Sequence, residues 1–119
     1  MSFHDIEFAI KEKQGLKHIL RGVSGSVRSG EMQCIMGPSG CGKTSLIHIL
    51  AKRIQSRGKF EISGRTMVQG RELTPSQLQR VSGLVTQEDI FNGALSVRET
   101  LAFGARLRLP AAQRKGRVE

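Results

Sequence analysis

The sequence predicts an α/β fold with a parallel sheet at its centre. Two observations lead there. Residues 32–36, Met-Gln-Cys-Ile-Met, are a short apolar run with one polar member, the pattern of a strand buried on both faces of a parallel sheet. A glycine-rich stretch follows at once, and then Leu46, Ile47, Leu50 and Ile54 recur at helical spacing.

The elements follow in order along the chain. Residues 3–10 read as a half-buried strand, because Ile6, Phe8 and Ile10 alternate with Glu7 and Ala9. Residues 11–17 read as a polar turn. Residues 18–27 carry Ile19, Leu20, Val23 and Val27 and read as extended, interrupted by Gly22 and Gly25. Residues 28–31, Arg-Ser-Gly-Glu, form another turn. After the buried run, a helix is expected over residues 44–54, with Lys52 and Arg53 suited to its negative end and Gly58 closing it. Residues 59–63 and 66–69 are expected to pair as a hairpin around Gly64-Arg65. Thr74-Pro75-Ser76-Gln77 signals a helix start: a capping residue, proline in the first turn, and glutamine three residues after the cap. A short helix over residues 75–79 follows, then a short strand over residues 83–86. Ser96-Val97-Arg98-Glu99 is a second capping box and opens a helix over residues 97–107, with Val97, Leu101 and Ala105 on one stripe and Pro110 as its stop.

Composition bounds the rest. With 119 residues the chain holds one domain or part of one. The apolar fraction is 38%, and its 14 glycines bring it to the level of globular chains, which excludes disorder as the default. No apolar run approaches the ~20 residues of a membrane-spanning helix, and Met-Ser-Phe-His-Asp lacks the build of a secretory leader. Two cysteines are too few for a disulfide scaffold and suit a reducing setting. The net charge of +9 permits a polyanion partner. Yet its basic residues are scattered except for Arg106, Arg108, Arg114, Lys115 and Arg117, without the aromatic interleaving of single-strand binders. No specific nucleic-acid partner is expected. Residues 111–119 read as a basic, disordered tail.

The chemistry concentrates in Gly37-Pro38-Ser39-Gly40-Cys41-Gly42-Lys43-Thr44, which matches G-x-x-x-x-G-K-[ST] between the expected strand and helix. A loop that wraps phosphates must turn its amides inward, and glycine accepts the dihedrals and the close approach this requires. The following helix aims its positive end at the anion. Lys43 supplies a mobile cation for the β- and γ-phosphates. The Thr44 hydroxyl is a hard oxygen ligand suited to Mg²⁺. Cys41 reads as a small filler within the loop. The candidate nucleotide contacts are Gly37, Pro38, Ser39, Gly40, Cys41, Gly42, Lys43, Thr44 and Ser45, in a phosphate-loop NTPase. The loop alone fits kinases, GTPases, helicases and transporters.

Other residues narrow that choice. The lead-in at residues 22–31, Gly-Val-Ser-Gly-Ser-Val-Arg-Ser-Gly-Glu, together with Gly37-Pro38-Ser39-Gly40, resembles ABC transporter ATPase domains. Gln87, in Gly83-Leu84-Val85-Thr86-Gln87-Glu88-Asp89, resembles their glutamine loop. Residues 95–103, Leu-Ser-Val-Arg-Glu-Thr-Leu-Ala-Phe, and Ala105-Arg106-Leu107-Arg108-Leu109-Pro110 are similar to the G subfamily, the White-type half-transporters. The resemblance covers about residues 3–110. It implies a RecA-like core with an ABC-type antiparallel β-subdomain, here truncated: residues 1–110 correspond to the N-terminal part of the nucleotide-binding domain. It implies ATP and Mg²⁺ as cofactors, with Gln87 joining Thr44 at the metal. Its implied partners are a transmembrane domain, near residues 89–94, and a second nucleotide-binding domain, as homo- or heterodimer. The implied location is the cytoplasmic face of a membrane, and the implied work is export of lipids or small molecules. The family sets an aromatic against adenine; Phe8 is the candidate, with Ile10 taking that place in one register.

This stretch departs from the family pattern after Pro110. It carries no Ser-Gly-Gly signature, no later apolar strand ending in Asp with Glu behind it, and no switch histidine, since His4, His18 and His48 lie elsewhere. The expectation is ATP binding without turnover, and poor folding of the stretch by itself. Three alternatives stand beside it. One is an inactive shortened product, favoured by the change of composition after Pro110. The others are a small phosphate-loop nucleotide kinase and a nucleic-acid binder acting through the tail.

Overall fold

The first ten residues form the centre of the fold. A computed structural model describes residues 1–88 and 91–110, and the expected tail at 111–119 lies outside them. Strand β1 (Ser2–Glu12) lies between β2 (Gly15–Ser26) and β3 (Phe60–Met67), antiparallel to both, in the order β2-β1-β3. A two-residue turn joins β1 to β2, with Glu12 paired to Gly15. The alternation read from the sequence holds over residues 6–8, where Ile6 and Phe8 are buried and Glu7 is exposed, and fails beyond them, where Ala9 is buried and Ile10 only half-buried.

Helix α1 (Lys43–Leu50) packs on that face. Leu46, Ile49 and Leu50, spaced i, i+3, i+4, join Ile6, Phe8 and Leu20 in one core cluster. Ile49 takes the place expected for Ile47, which is partly exposed. Each such side chain contributes roughly 1.5–3 kcal/mol when fully buried. The Phe8 and Phe60 rings meet at 5.8 Å, tilted by 51°, a favourable geometry for an aromatic pair.

The helix ends earlier than the apolar spacing suggests. The Lys52 amide donates to the Ile49 carbonyl and the Arg53 amide to the His48 carbonyl, at 2.9 and 2.8 Å. This pair of bonds is a Schellman motif, which reverses the chain after one left-handed residue. That residue is Lys52, with φ of 51°. Gly58 therefore does not close the helix.

The hairpin expected around Gly64-Arg65 is instead part of the single strand β3, opposite a bulge in β1. His4 pairs with Arg65 and Glu7 with Ser63, so Asp5 and Ile6 together face Gly64. Gly64 has φ of +94°, and a Cβ there would stand 2.5 Å from the Asp5 carbonyl oxygen. The true reversal comes later, at Gln69-Gly70. Both have positive φ, 52° and 73°, and Val68 and Arg71 exchange backbone bonds of 2.8 and 3.1 Å around them. This is the two-residue hairpin that twisted strands favour.

Helix α2 (Pro75–Val81) begins as expected. The Gln77 amide donates to Thr74 Oγ1 and the Thr74 amide to Gln77 Oε1. Leu78 is its buried residue.

Two expected strands are absent. Residues 32–36 have no regular structure and are exposed, Met32 at 92% and Met36 at 86%. Residues 83–86 are likewise irregular. A parallel strand takes all its backbone bonds from neighbours, and no strand lies beside either segment among the described residues. The described sheet is wholly antiparallel.

The chain divides into two units, Met1–Leu84 and the residues from Val85 onward. The second contains α3 (Val97–Arg108). The Ser96 amide donates to Glu99 Oε2 at 2.8 Å, and the Glu99 amide returns a bond to Ser96 Oγ. Leu109 caps the far end, just before Pro110. No described helix is long and apolar enough to cross a membrane.

Two predictions follow from these contacts. Gly64→Ala combines a disfavoured dihedral with a backbone clash and should cost about 2–4 kcal/mol, read as a lowered urea midpoint of the chain. Glu99 is held below its ordinary carboxyl value of 4.5 by the Ser96 hydroxyl and backbone bonds. Its contribution to α3 is complete above that value and is lost as pH falls through the lowered folded value. An NMR titration of the Ser96 amide should show that step, and Glu99→Gln should remove it.

Candidate phosphate-binding site

The loop that links sheet and helix is set by two contacts with the core. Gly42 precedes α1 with φ of +96° and no side-chain cap. A Cβ at Gly42 would lie 2.8 Å from Leu20 Cδ2 and 3.3 Å from the Ile19 carbonyl oxygen. The end of the loop thus rests directly on β2, and only glycine fits there. At its other end, a Cβ on Gly37 would meet Cys41 Sγ at 2.8 Å. The Cys41 amide lies 3.4 Å from the Pro38 carbonyl, across a turn that includes Gly40 at φ of +81°. The Cys41 thiol thus lies close over Gly37, while the residue as a whole is exposed.

Lys43 folds back over this turn. Its Nζ donates to the Gly37 carbonyl at 2.8 Å and to the Pro38 carbonyl at 2.7 Å, and lies 3.7 Å from Cys41 Sγ. The cation is held within its own loop, its three donors directed to two carbonyls and a thiol. The amides of Lys43, Thr44 and Ser45 open the helix and find no acceptor among the described residues. The first turn of α1 carries no acidic side chain. Free amides, a helix N-terminus and a lysine then converge without a competing carboxylate. Chemically this is a seat for an anion with several oxygens.

The exposed residues of the loop suit that use. Pro38, Ser39, Gly40, Cys41 and Thr44 are exposed, and Lys43 and Ser45 are half-buried. The Thr44 hydroxyl is a hard donor at the helix start. No cluster of three or more His, Cys, Asp or Glu occurs among the described residues, so a metal here would depend on neutral oxygens and the phosphates themselves, which is how Mg²⁺ is commonly held.

Phe8 is placed elsewhere. Its ring is 3% exposed, within the core beneath α1 and against Phe60. A ring so enclosed presents no face for a base to stack on. Ile10 is half-buried beside it in the same strand.

Gln87 belongs to the second unit, where it is exposed on a bend. Thr86 Oγ1 donates across it to the Glu88 carbonyl at 3.0 Å. Of residues 89–94, expected near a partner, Asp89 and Ile90 lie outside the described residues.

Ile19 and Leu20 were read only as strand residues, yet they form the surface on which Gly42 rests. Alternation along β2 marks them as apolar; nothing in their spacing shows that the loop returns to them.

Comparison with known proteins shows the family. Residues 20–119 match the ABC transporter family. The chain is 42% identical to ABC transporter G family member 22 of Dictyostelium discoideum, over 92% of its own length and 17% of the relative's. It is 41% identical to ABC transporter G family member 26 of Arabidopsis thaliana, over 87% of its length and 14% of that protein's. It is 39% identical to a broad substrate specificity ATP-binding cassette transporter of Rattus norvegicus, over 96% and 18% respectively. The chain thus spans less than a fifth of the length of these relatives.

Proposed function

Because this chain belongs to the ABC transporter family, we propose that its phosphate loop binds Mg·ATP as part of a transporter's nucleotide-binding domain. The observation that carries the reading is the convergence of Lys43 Nζ, held on the Gly37 and Pro38 carbonyls, with three unpaired amides at the start of α1. In this reading the amides of residues 39–44 hold the phosphate oxygens, and Ser45 extends the set by its own amide. Lys43 offsets the negative charge of the β- and γ-phosphates. Thr44 would ligate Mg²⁺; the family resemblance gives the same role to Gln87, which belongs to the second unit. When bound, the metal would neutralise phosphate charge and orient the terminal phosphate.

Phe8 has no part in this site. The adenine contact is therefore assigned to no residue of the core.

The parent protein is proposed to be a G-type transporter that exports lipids or small molecules. The similarity to G family members in two organisms supports this, and the broad substrate specificity named for the rat relative is compatible with it. Its partners would be a transmembrane domain and a second nucleotide-binding domain, with this domain at the cytoplasmic face of a membrane.

Hydrolysis demands more than phosphate binding. Water must be placed in line and its proton accepted. Within these 119 residues, no apolar run after the loop ends in Asp with Glu behind it, and no Ser-Gly-Gly segment is present to meet a γ-phosphate across a dimer. Glu88 is an exposed loop residue next to Gln87.

A fluorescent ATP analogue should bind the chain in the presence of Mg²⁺, and Lys43→Ala should weaken it by about tenfold or more, the effect of one charge-assisted bond. Equal binding by the variant overturns the reading. Phosphate release by the 119-residue chain should stay at the background rate. Turnover that disappears in Lys43→Ala would instead show that these residues contain a complete hydrolytic site.

A further inference from the structure

A second cavity, of about 220 Å³, lies within the first unit, between β1, β3 and the C-terminal end of α1. Ile6, Ile49, Ile54 and Ile62 supply its apolar atoms, Gln55, Ser56, Ser63 and Thr66 add uncharged polar ones, and Lys52 and Glu72 carry its charges. Lys52 sits in a left-handed conformation, φ 51°, at the Schellman position where glycine is the usual residue. A non-glycine residue costs roughly 1–2 kcal/mol in that conformation. Its ion pair with Glu72 is long, 3.4 Å between Nζ and Oε1, and the Glu72 side chain is 60% exposed. Pairs of this kind contribute about 0–1 kcal/mol, which does not offset the strain.

The lysine is nevertheless drawn in. Its side chain is 20% exposed and lines the same cavity as the isoleucines. An ammonium has three donors and a carboxylate about four acceptor positions. Each uses one here, on the other. What remains at the edge of this cavity is a matched donor set and acceptor set, side by side. A lone carboxylate ligand would meet repulsion from Glu72, and a lone amine repulsion from Lys52. A zwitterion satisfies both, with its carboxylate on Lys52 and its ammonium on Glu72. A short branched side chain then lies on the isoleucines. The volume corresponds to about seven waters at ~30 Å³ each, the scale of valine or leucine.

We propose that this cavity is a binding site for a free α-amino acid with a small branched apolar side chain. It is separate from the phosphate loop, since none of residues 37–45 lines it.

Methyl NMR of the full 119-residue chain tests this with three probes: L-leucine, 4-methylpentanoate, which lacks the ammonium, and 3-methylbutylamine, which lacks the carboxylate. Leucine should shift the Ile49, Ile54 and Ile62 methyl signals saturably, with a Kd at or below about 1 mM, a modest value for so few atoms. Each of the other two probes should bind about tenfold more weakly. Lys52→Met keeps the apolar stem and should weaken leucine about tenfold while sparing the amine. Glu72→Gln, at an exposed side chain, should weaken leucine and spare 4-methylpentanoate. Saturable shifts of equal strength from all three probes would show a plain apolar cavity and overturn the proposal. So would the absence of saturable shifts with leucine, or leucine binding unchanged in both variants.

Discussion

The packing of one short helix on one sheet face governs the rest of this structure. Leu46, Ile49 and Leu50 seat α1 on Ile6, Phe8 and Leu20. That contact determines where the start of the helix lies, and so where its unpaired amides point. It also brings Gly42 against Leu20 and the Ile19 carbonyl, which places the last turn of the loop. The phosphate seat is therefore a product of hydrophobic burial on the opposite side of the helix. Buried apolar area is non-directional, but here it acts through a rigid helix whose axis carries the direction.

Electrostatics at the seat are local. The net charge of +9 spreads over the surface and is screened within about 8–10 Å at ordinary salt. The loop depends on short-range groups instead: the α1 amides, one lysine and the lack of acid in the first turn. The carbonyls of Gly37 and Pro38 hold Lys43 in position before any anion arrives, so less side-chain freedom is lost on binding. Two of the positive-φ positions of the first unit, Gly64 and Lys52, serve different ends. Gly64 allows β1 and β3 to stay paired across a bulge, whereas Lys52 keeps a charged group over the second cavity at some cost to its backbone.

The sheet itself corrects a natural reading of the sequence. Apolar runs such as residues 32–36 look buried because their composition is that of a two-faced strand. Composition states what a segment needs and is silent on whether a neighbour is there to meet the need. Among the described residues no strand flanks that segment, and its side chains face solvent. Phe8 shows the opposite case. Its place ahead of the loop suggested an adenine platform, while its place in the strand alternation made it core. The alternation prevailed, because inward positions of β1 are the ones α1 covers.

Helix starts were the most legible of the local signals. Both capping boxes, at Thr74 and Ser96, can be read from four consecutive residues, because a helix start is satisfied by bonds within its own first turn. The phosphate loop is legible for the same reason: its glycines, lysine and threonine are contiguous, and so are the backbone groups they arrange. By itself, then, the sequence determined the strand β1 and its inward Ile6 and Phe8, the two capped helix starts and the family. Tertiary structure alone decided that Gly64 lies opposite a bulge, that Ile49 replaces Ile47 in the core, that the loop rests on β2, and that Lys52 and Glu72 meet over the isoleucines. Each of these depends on residues far apart in the chain coming within a few ångströms, and no local pattern encodes such a distance.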